Sequence, residues 1–476
     1  MLDIAIIVIY FIGMLAIGIH VYRKKQSSTQ NGFFVANRSG SALFIIGSLC
    51  ATIIGASVTL GMAGLGYFRG LTGAWWVLVG SVGLLILGFL FARTVRSLGL
   101  YTLPELVEKQ YGKVAGVVAS LLIVVSWMAI IAAQIIAAGK ILSVMMPSVD
   151  PSLVMVISAA VLTIYTFLGG QYSVIRTDLV QLIIIIVGVI VCLGLVLSRV
   201  GGFGGLHDSL PSYYFSFPVS IKFGWLDLLS LLILVGSTYV VGPDMYSRLF
   251  CARNEKVAKT SALTSAFILI PIAFIIVLIG MGAKVLFPDV AQEQAFPMVI
   301  KDVLPIGVSG LVIAALLAAM MSSADTCLIT TSTIFTADIY KRIFPKISER
   351  NTLIVSRIGV LVIGGLALVV ALQLQGIINS LLLAYTVFTS GVVLPVIAGF
   401  FKDKLKVNSI GAVAAILGGG GTALWIKQWH ITNLAGVHIG HIELIGFAVC
   451  AVLLFGVSWI SGWIMARRRH LRNSAK

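Results

Sequence analysis

The sequence has few charged residues for its length. Only 11% of its 476 residues are Asp, Glu, Lys or Arg, whereas about 25% is usual in soluble proteins. Hydrophobic residues make up 59%, so a water-soluble fold of this size would lack the polar side chains needed to cover its surface. This composition excludes a soluble globular protein, a disordered chain and a coiled coil, and it predicts an integral membrane protein.

Cysteine is also scarce, and the five cysteines contain no CxxC pair. All five lie in or beside apolar segments, where we expect small buried side chains rather than disulfides or metal ligands. Although Lys and Arg outnumber Asp and Glu by 33 to 17, the sequence contains no recognisable nucleic-acid-binding motif. We therefore expect no nucleic-acid partner, and no feature of the sequence indicates an obligate protein partner.

What the sequence does have is a succession of apolar segments, each near or above the roughly 20 residues that an α-helix needs to cross a bilayer. We predict an all-α integral membrane protein with about 13 transmembrane helices. The predicted spans are residues 2–22, 40–68, 74–93, 113–145, 152–170, 173–198, 223–247, 258–287, 305–336, 352–372, 377–400, 407–427 and 442–465.

Basic residues between these spans predict the orientation of the chain. With the N-terminus placed outside, 26 of the 33 Lys and Arg residues lie on the inner side, in agreement with the positive-inside rule. Arg248 is counted here among the inner loop residues. No basic segment precedes the first span, so we expect it to be retained rather than cleaved. The prediction is a multi-pass protein of the plasma (cell) membrane with an outer N-terminus and a cytoplasmic C-terminus.

Two acidic residues fall inside predicted spans, where each ionised group costs about 2.5–3.5 kcal/mol. Asp325 lies in a hydroxyl-rich segment and shares a helix face with Ser322 and Thr326. The hydroxyls alone are compatible with helix–helix hydrogen bonding, whereas the added carboxylate favours a cation-binding face. Asp178 is shallower, and pairing with Arg176 or capping of a helix is the competing interpretation.

The second and seventh spans are interrupted by residues that weaken a helix. The second contains four glycines among hydroxyl side chains, beginning with Gly55, and the seventh contains Gly242-Pro243. Glycines can allow close helix packing, or they can permit unwinding that frees backbone carbonyls for a cation. Similar interruptions at corresponding places in two five-helix halves indicate an inverted-repeat transporter with a site near the middle of the membrane.

The order of several short motifs resembles that of the sodium:solute symporter family. These motifs are Phe33-Phe34-Val35-Ala36-Asn37-Arg38-Ser39, Gly169-Gly170 followed by Thr177-Asp178 and Gln181, Gly242-Pro243-Asp244-Met245-Tyr246-Ser247-Arg248, and Met321-Ser322-Ser323-Ala324-Asp325 followed by Asp338-Ile339-Tyr340. The resemblance implies a leucine-transporter-like fold, a 5+5 inverted repeat with one preceding and two following helices. The corresponding segments are 1–39, 40–198, 199–222 (an outer loop), 223–401 and 402–476.

The same resemblance implies a sodium-coupled secondary active symporter, not an enzyme, that imports a small polar organic solute by alternating access. A proton-coupled permease that uses Asp178 or Asp325 is the alternative. No Arg or Lys lies deep in the spans expected to contact the solute, which favours a zwitterionic or neutral solute. The implied main Na+ site comprises Ala51, Ile54, Ala319, Ser322 and Ser323. The implied second cation or proton site comprises Asp178, Ser322, Asp325 and Thr326. The candidate solute contacts are Ile53, Gly55, Ser57, Trp75, Trp127, Gln134, Ser237 and Tyr239.

Overall fold

The computed structural model describes residues 2–24, 27–145, 148–374, 376–429, 433–434, 437–438, 441 and 444–474. Eleven helical stretches in this part of the chain are long and apolar enough to cross a membrane. Two shorter apolar helices, Ala42–Ile53 and Pro151–Ile164, lie where the second and fifth spans are predicted. The all-α membrane architecture is therefore confirmed, while the exact count of 13 spans stays a prediction. The first two residues of the last predicted span, 442–443, lie outside the described residues.

The first half of the chain contains helices of very different lengths. They are α1 (Leu2–Arg23), α2 (Gln30–Val35), α3 (Ala42–Ile53), α4 (Met62–Arg69), α5 (Trp75–Ile86), α6 (Ala92–Ser97), α7 (Leu103–Tyr111), α8 (Lys113–Met145), α9 (Pro151–Val200) and α10 (Gly202–Ser209). Single π-helical turns at Ser57–Gly61 and Leu87–Phe91 join α3 to α4 and α5 to α6, and short 3₁₀ turns lie at Ala36–Arg38, Gly70–Ala74 and Ser212–Phe215.

The second half repeats this alternation of long helices and interrupted ones. Its helices are α11 (Trp225–Leu231), α12 (Ser237–Val241), α13 (Pro243–Cys251), α14 (Glu255–Leu286), α15 (Ala295–Asp302), α16 (Val308–Ile334), α17 (Lys341–Ile343), α18 (Glu349–Gln373), α19 (Ile377–Phe388), α20 (Leu394–Gly399), α21 (Lys402–Leu405), α22 (Ser409–Gln428) and α23 (Leu444–Ser474). The π-helical turns are Leu232–Gly236, Phe335–Tyr340 and Thr389–Val393, a 3₁₀ turn covers Gln292–Gln294, and strands Asn433–Leu434 and Val437–His438 pair antiparallel.

Two predicted spans, 152–170 and 173–198, are continuous with each other in α9, which has 50 residues. A straight helix of that length would measure about 75 Å, far more than the roughly 30 Å of a bilayer core. The chain changes direction at Gly170, whose φ of 62° and ψ of 178° are not helical. A Cβ atom at Gly170 would lie 2.7 Å from the ring of Phe33, so glycine is required both by the backbone and by the close packing.

Helix α16 is the centre of the bundle. Its most apolar stretch is completely buried, in contrast to α1 and α23, where 28% and 22% of the corresponding stretch is buried. Helices α1, α3, α8, α9 and α18 all pack against α16. The polar face of α16 therefore points at other helices rather than at lipid, which places its serine and aspartate side chains where a site can form.

Both predicted helix interruptions are present beside this central helix. Helix α3 ends at Ile53, and Ile54 has φ and ψ of −78° and 59°. In the seventh span, Gly242 has a ψ of 135° and separates α12 from α13, which begins at Pro243. Proline suits the first position of a helix because its missing N–H would have no partner there. Helix α13 packs against both α3 and α16, so the two broken spans meet.

Candidate functional site

The break after α3 frees backbone carbonyl groups, because the amides that would bond to them in a helix donate to other acceptors. In an unbroken helix, the carbonyl of Ala51 would accept from Gly55 N, but Gly55 N donates to Ile53 O at 2.8 Å. The carbonyl of Thr52 loses Ala56 N in the same way, because that amide donates to the Gln134 side chain at 2.9 Å. Buried carbonyls released like this need other partners.

The carbonyl of Ile54 is released by a similar shift. Its helical partner would be Val58 N, which donates instead to Gly55 O at 3.2 Å, and Thr59 N donates to the same oxygen at 2.9 Å. Ile54 is completely buried. The short segment 51–54 therefore offers several oxygen atoms that the helix does not use, which is the kind of unwound segment that coordinates cations in transporters.

Helix α16 places two serines against this segment. Ser323 Oγ donates to Thr52 O at 2.5 Å, which fixes the middle of α16 beside the break. Ala319 lies one turn earlier on α16 and, like Ala51, is completely buried. The region thus brings hydroxyl and carbonyl oxygens from α3 and α16 together, a donor set that a hard cation prefers.

Asp178 is joined to the same region by hydrogen bonds from three side chains. Its carboxylate accepts from Ser322 Oγ at 2.5 Å, from the Ser48 hydroxyl and from Arg248 Nη2 at 3.2 Å. The side chains of Asp178 and Arg248 are both completely buried. The interpretations of Asp178 as a boundary partner of Arg176 or as a helix cap are wrong, because Arg176 Nη2 donates to the Tyr172 hydroxyl and Asp178 lies in the middle of α9.

Arg248 is the principal residue of this network that the sequence pattern does not predict. The basic-residue pattern places it in an inner loop, but its exposed fraction is 0% and it lies on α13. Its Nη2 donates to Thr52 Oγ1 at 3.2 Å and also to Thr326 Oγ1. Its Nε and Nη1 atoms have no hydrogen-bond partner among the described residues. The sequence signals for it are its spacing from Pro243 at the second helix interruption and its place at the end of the motif that begins at Gly242.

The hydroxyl of Thr326 completes this network, whereas Asp325 does not join it. Thr326 Oγ1 lies 3.0 Å from Thr52 Oγ1 and donates to Ser322 O at 2.7 Å. Asp325 is 1% exposed, and neither of its carboxylate oxygens has a hydrogen-bond partner in the described part of the chain. A buried carboxylate in this condition requires a proton or a cation.

A small polar cavity of about 30 Å³ lies next to Ser323, between the two broken spans. Five predicted solute contacts line it, namely Ile53, Gly55, Ser57, Gln134 and Tyr239. The remaining lining residues are not predicted solute contacts. They are Thr52, Ile130, Thr238, Asp244, Met245, Cys327 and Tyr385, beside the predicted sodium ligand Ser323. This volume holds about two water molecules, so an organic solute requires the helices to move apart.

The other three predicted solute contacts lie elsewhere in this structure. Trp75 donates from its indole nitrogen to Pro218 O at 2.8 Å and stacks on Phe217. Trp127 is completely buried against Phe388, and the hydroxyl of Ser237 bonds to a carbonyl of its own helix. None of the three lines the cavity, and their assignment to the solute stays a prediction.

The membrane fold with two broken helices beside a central helix defines a class of protein, a membrane transporter. Solved structures share this fold. A substrate-bound outward-open Na+-coupled sialic acid symporter matches with a TM-score of 0.79 at 18% identity, covering 97% of this chain and 98% of that one. MhsT in complex with L-phenylalanine matches with a TM-score of 0.57 at 14% identity, covering 88% and 99%. These likenesses show that the fold is leucine-transporter-like.

Sequence comparisons then give the family. The model of the sodium:solute symporter family matches residues 33–419, so the chain belongs to this family. Sodium/glucose cotransporter 4 of Danio rerio is 27% identical over 467 residues, which cover 88% of this chain and 70% of that protein. Sodium/myo-inositol cotransporter 2 of Homo sapiens is 28% identical over 404 residues, covering 76% and 59%. The chain is accordingly a multi-pass membrane transporter that couples a small solute to Na+, and not an enzyme.

Proposed function

We propose that the protein imports a small polar organic solute together with Na+ bound between α3 and α16. The ligands in this proposal are the carbonyls of Ala51, Ile54 and Ala319 and the hydroxyls of Ser322 and Ser323. The observation that carries the proposal is the break after α3, where redirected amides leave carbonyls beside Ser323. Sodium coordinates oxygen atoms of this kind, and the dry interior of the bundle strengthens their attraction to a cation.

Such a site explains how the ion could control the solute. Ser323 bonds to the unwound segment, and Gly55 in that segment lines the central cavity. Sodium held by both helices would therefore fix the segment that forms one wall of the solute site. Movement of the loaded core would open the cavity inward, and a negative interior would favour ion release by about 2.3 kcal/mol per charge per 100 mV.

A second cation or proton site around Asp178, Ser322, Asp325 and Thr326 is also proposed. Because Arg248 already neutralises Asp178, Asp325 is the better candidate for carrying the additional charge. The observation that favours the alternative function, a proton-coupled permease, is that the Asp325 oxygens lack a hydrogen-bond partner among the described residues. Uptake driven by a pH gradient without Na+ would support that alternative and would contradict sodium coupling.

The orientation and the internal repeat are part of the proposal. We place the N-terminus outside and the C-terminus in the cytoplasm of a plasma-membrane protein, on the distribution of Lys and Arg between the spans. The two five-helix repeats comprise 40–198 and 223–401, joined by the outer loop 199–222. One helix precedes them in 1–39, and two helices and a basic tail follow in 402–476.

The proposal is tested with purified protein in liposomes, using a panel of labelled polar solutes with and without an inward Na+ gradient. Solute accumulation should require the gradient. The variants Ser322→Ala and Ser323→Ala should each raise the Na+ concentration for half-maximal uptake roughly 10- to 100-fold, because a lost bond to a charged group is worth about 1.5–3 kcal/mol. Ser309→Ala, near the start of α16 and away from the site, is the matched control and should behave as wild type. Normal sodium dependence of both site variants would contradict the proposal.

A further inference from the structure

Asp244 is the one formally charged residue among the described residues that line the central cavity. Asp244 lines the cavity and is only partly buried, and no Lys, Arg or His is among the lining residues. Within the described residues, Asp244 forms no ion pair. Its place as the second residue of α13 is favourable for an acid, but a helix end neutralises only part of a full charge.

The nearest candidate for a partner of Asp244 is already engaged. Arg248 lies four residues later on the same helix, a spacing at which Asp and Arg often pair. Its Nη2 is instead directed to Asp178, Thr52 and Thr326. Arg248 therefore balances Asp178, and the negative charge of Asp244 remains available to a solute that enters the cavity.

The other walls of the cavity also suit a cation. Tyr239 and Tyr385 both line it, and aromatic ring faces attract ammonium groups. Tyr239 is held in place because its ring packs on Gly80, where a Cβ atom would lie 2.9 Å away. The hydroxyls of Thr238 and Ser323 line the same cavity and offer acceptors to the N–H groups of an amine.

From this arrangement we infer that the transported solute carries a positively charged amino group, with Asp244 as its counter-ion in the central cavity. Cations and zwitterions with an exposed ammonium group belong to this class, whereas uncharged polyols and simple anions do not. The inference rests on the proposed function, because it assumes that this cavity is the solute site of the sodium symporter.

The test uses purified protein in liposomes adsorbed to a solid-supported membrane, where solute-induced currents are recorded without labelled substrate. The probes are amino solutes paired with uncharged isosteres, such as ethanolamine with propan-1-ol, together with zwitterionic amino acids, myo-inositol and glucose. In Na+ buffer, at least one ammonium solute should give a saturable current and its uncharged isostere none. Asp244→Asn should raise the half-saturating concentration of that ammonium solute at least tenfold.

Controls separate charge recognition from a folding defect. Asp244→Glu keeps the charge and should retain the preference for ammonium solutes, while Asp208→Asn removes an acid whose side chain is 84% exposed and should behave as wild type. Each variant is compared for thermal unfolding and for its Na+-induced tryptophan fluorescence change. The inference is supported if the Asp244→Asn protein keeps its fluorescence response to Na+ but loses its preference for ammonium solutes.

Several outcomes would overturn the inference. Currents from myo-inositol or glucose that need Na+ and are unaffected by Asp244→Asn would reject the ammonium class while leaving sodium symport intact. A panel in which no ammonium solute gives a current would also reject it. Ammonium currents that depend on Asp244 but not on Na+ would uphold the inference and reject the proposed coupling ion.

Discussion

The substitution Gly55→Ala tests the contact between the unwound segment and α16 with a single methyl group. A Cβ atom at position 55 would lie 2.2 Å from Ser323 Oγ, 2.9 Å from Ser323 Cβ and 3.0 Å from Gln134 Oε1. An ordinary contact between carbon and oxygen is about 3.5 Å, so Ser323 Oγ would have to move by more than about 1 Å. Its bond to Thr52 O, now 2.5 Å long, would not survive that movement.

The expected effect follows from the loss of one proposed hydroxyl ligand of Na+. We expect Gly55→Ala to raise the half-saturating Na+ concentration roughly 10- to 100-fold, equivalent to about 1.5–3 kcal/mol. The measurement is Na+-dependent uptake in liposomes. Gly194→Ala is the matched control, because a Cβ atom at that helical position meets nothing within 4 Å, and it should leave the sodium dependence unchanged.

A double-mutant cycle separates this mechanism from a general distortion. Ser323→Gly removes both atoms that the new methyl group would meet on α16. If that methyl group acts by displacing the Ser323 hydroxyl, then Gly55→Ala should cause much less additional loss in the Ser323→Gly background than in wild type. Fully additive effects, or a Gly55→Ala variant with wild-type sodium affinity, would refute the reasoning.

Three further predictions concern the surrounding network. Arg248→Gln should destabilise the protein by about 3–5 kcal/mol in thermal unfolding, because it leaves Asp178 as an unpaired buried charge. Adding Asp178→Asn should recover part of this stability. A further loss of stability in the double variant would contradict the ion pair. Asp325→Asn should keep sodium-driven uptake and abolish any dependence of uptake on an imposed pH gradient, measured in liposomes at matched Na+. If uptake by the variant still depends on the pH gradient, a group other than Asp325 carries the proton. Gly170→Ala should lower stability by about 1–3 kcal/mol because its backbone conformation is nearly exclusive to glycine; an unchanged unfolding temperature would show that α9 straightens at little cost.

The membrane fold and the break after α3 could be predicted because they depend on local properties of the sequence. Span length follows from runs of apolar residues, and the break after α3 follows from the glycines that begin at Gly55. The family resemblance implies that Ser323 lies against that break. This contact requires only that the two segments lie at a similar depth in the membrane. The prediction of these features does not change when a helix boundary is misplaced by a few residues.

Other features depend on how helices rotate and pack, which sequence spacing does not determine. Arg248 looks like a loop residue because it follows Gly242-Pro243, yet α13 returns into the bundle and buries it completely. Trp75 and Trp127 face a loop and another helix rather than the cavity, since the rotation of a nearly uniformly apolar helix is set by its neighbours. Asp244 was overlooked as a site residue for the same reason as Arg248.

Direct binding of ²²Na⁺ to purified protein tests the central claim most closely, because it needs no knowledge of the solute. Wild-type protein should bind the isotope saturably, and the double variant Ser322→Ala/Ser323→Ala should bind it at least tenfold more weakly while retaining its helical circular dichroism and its monodisperse elution. Equal binding by wild-type protein and a folded double variant would contradict the assignment of the ion to the oxygens between α3 and α16.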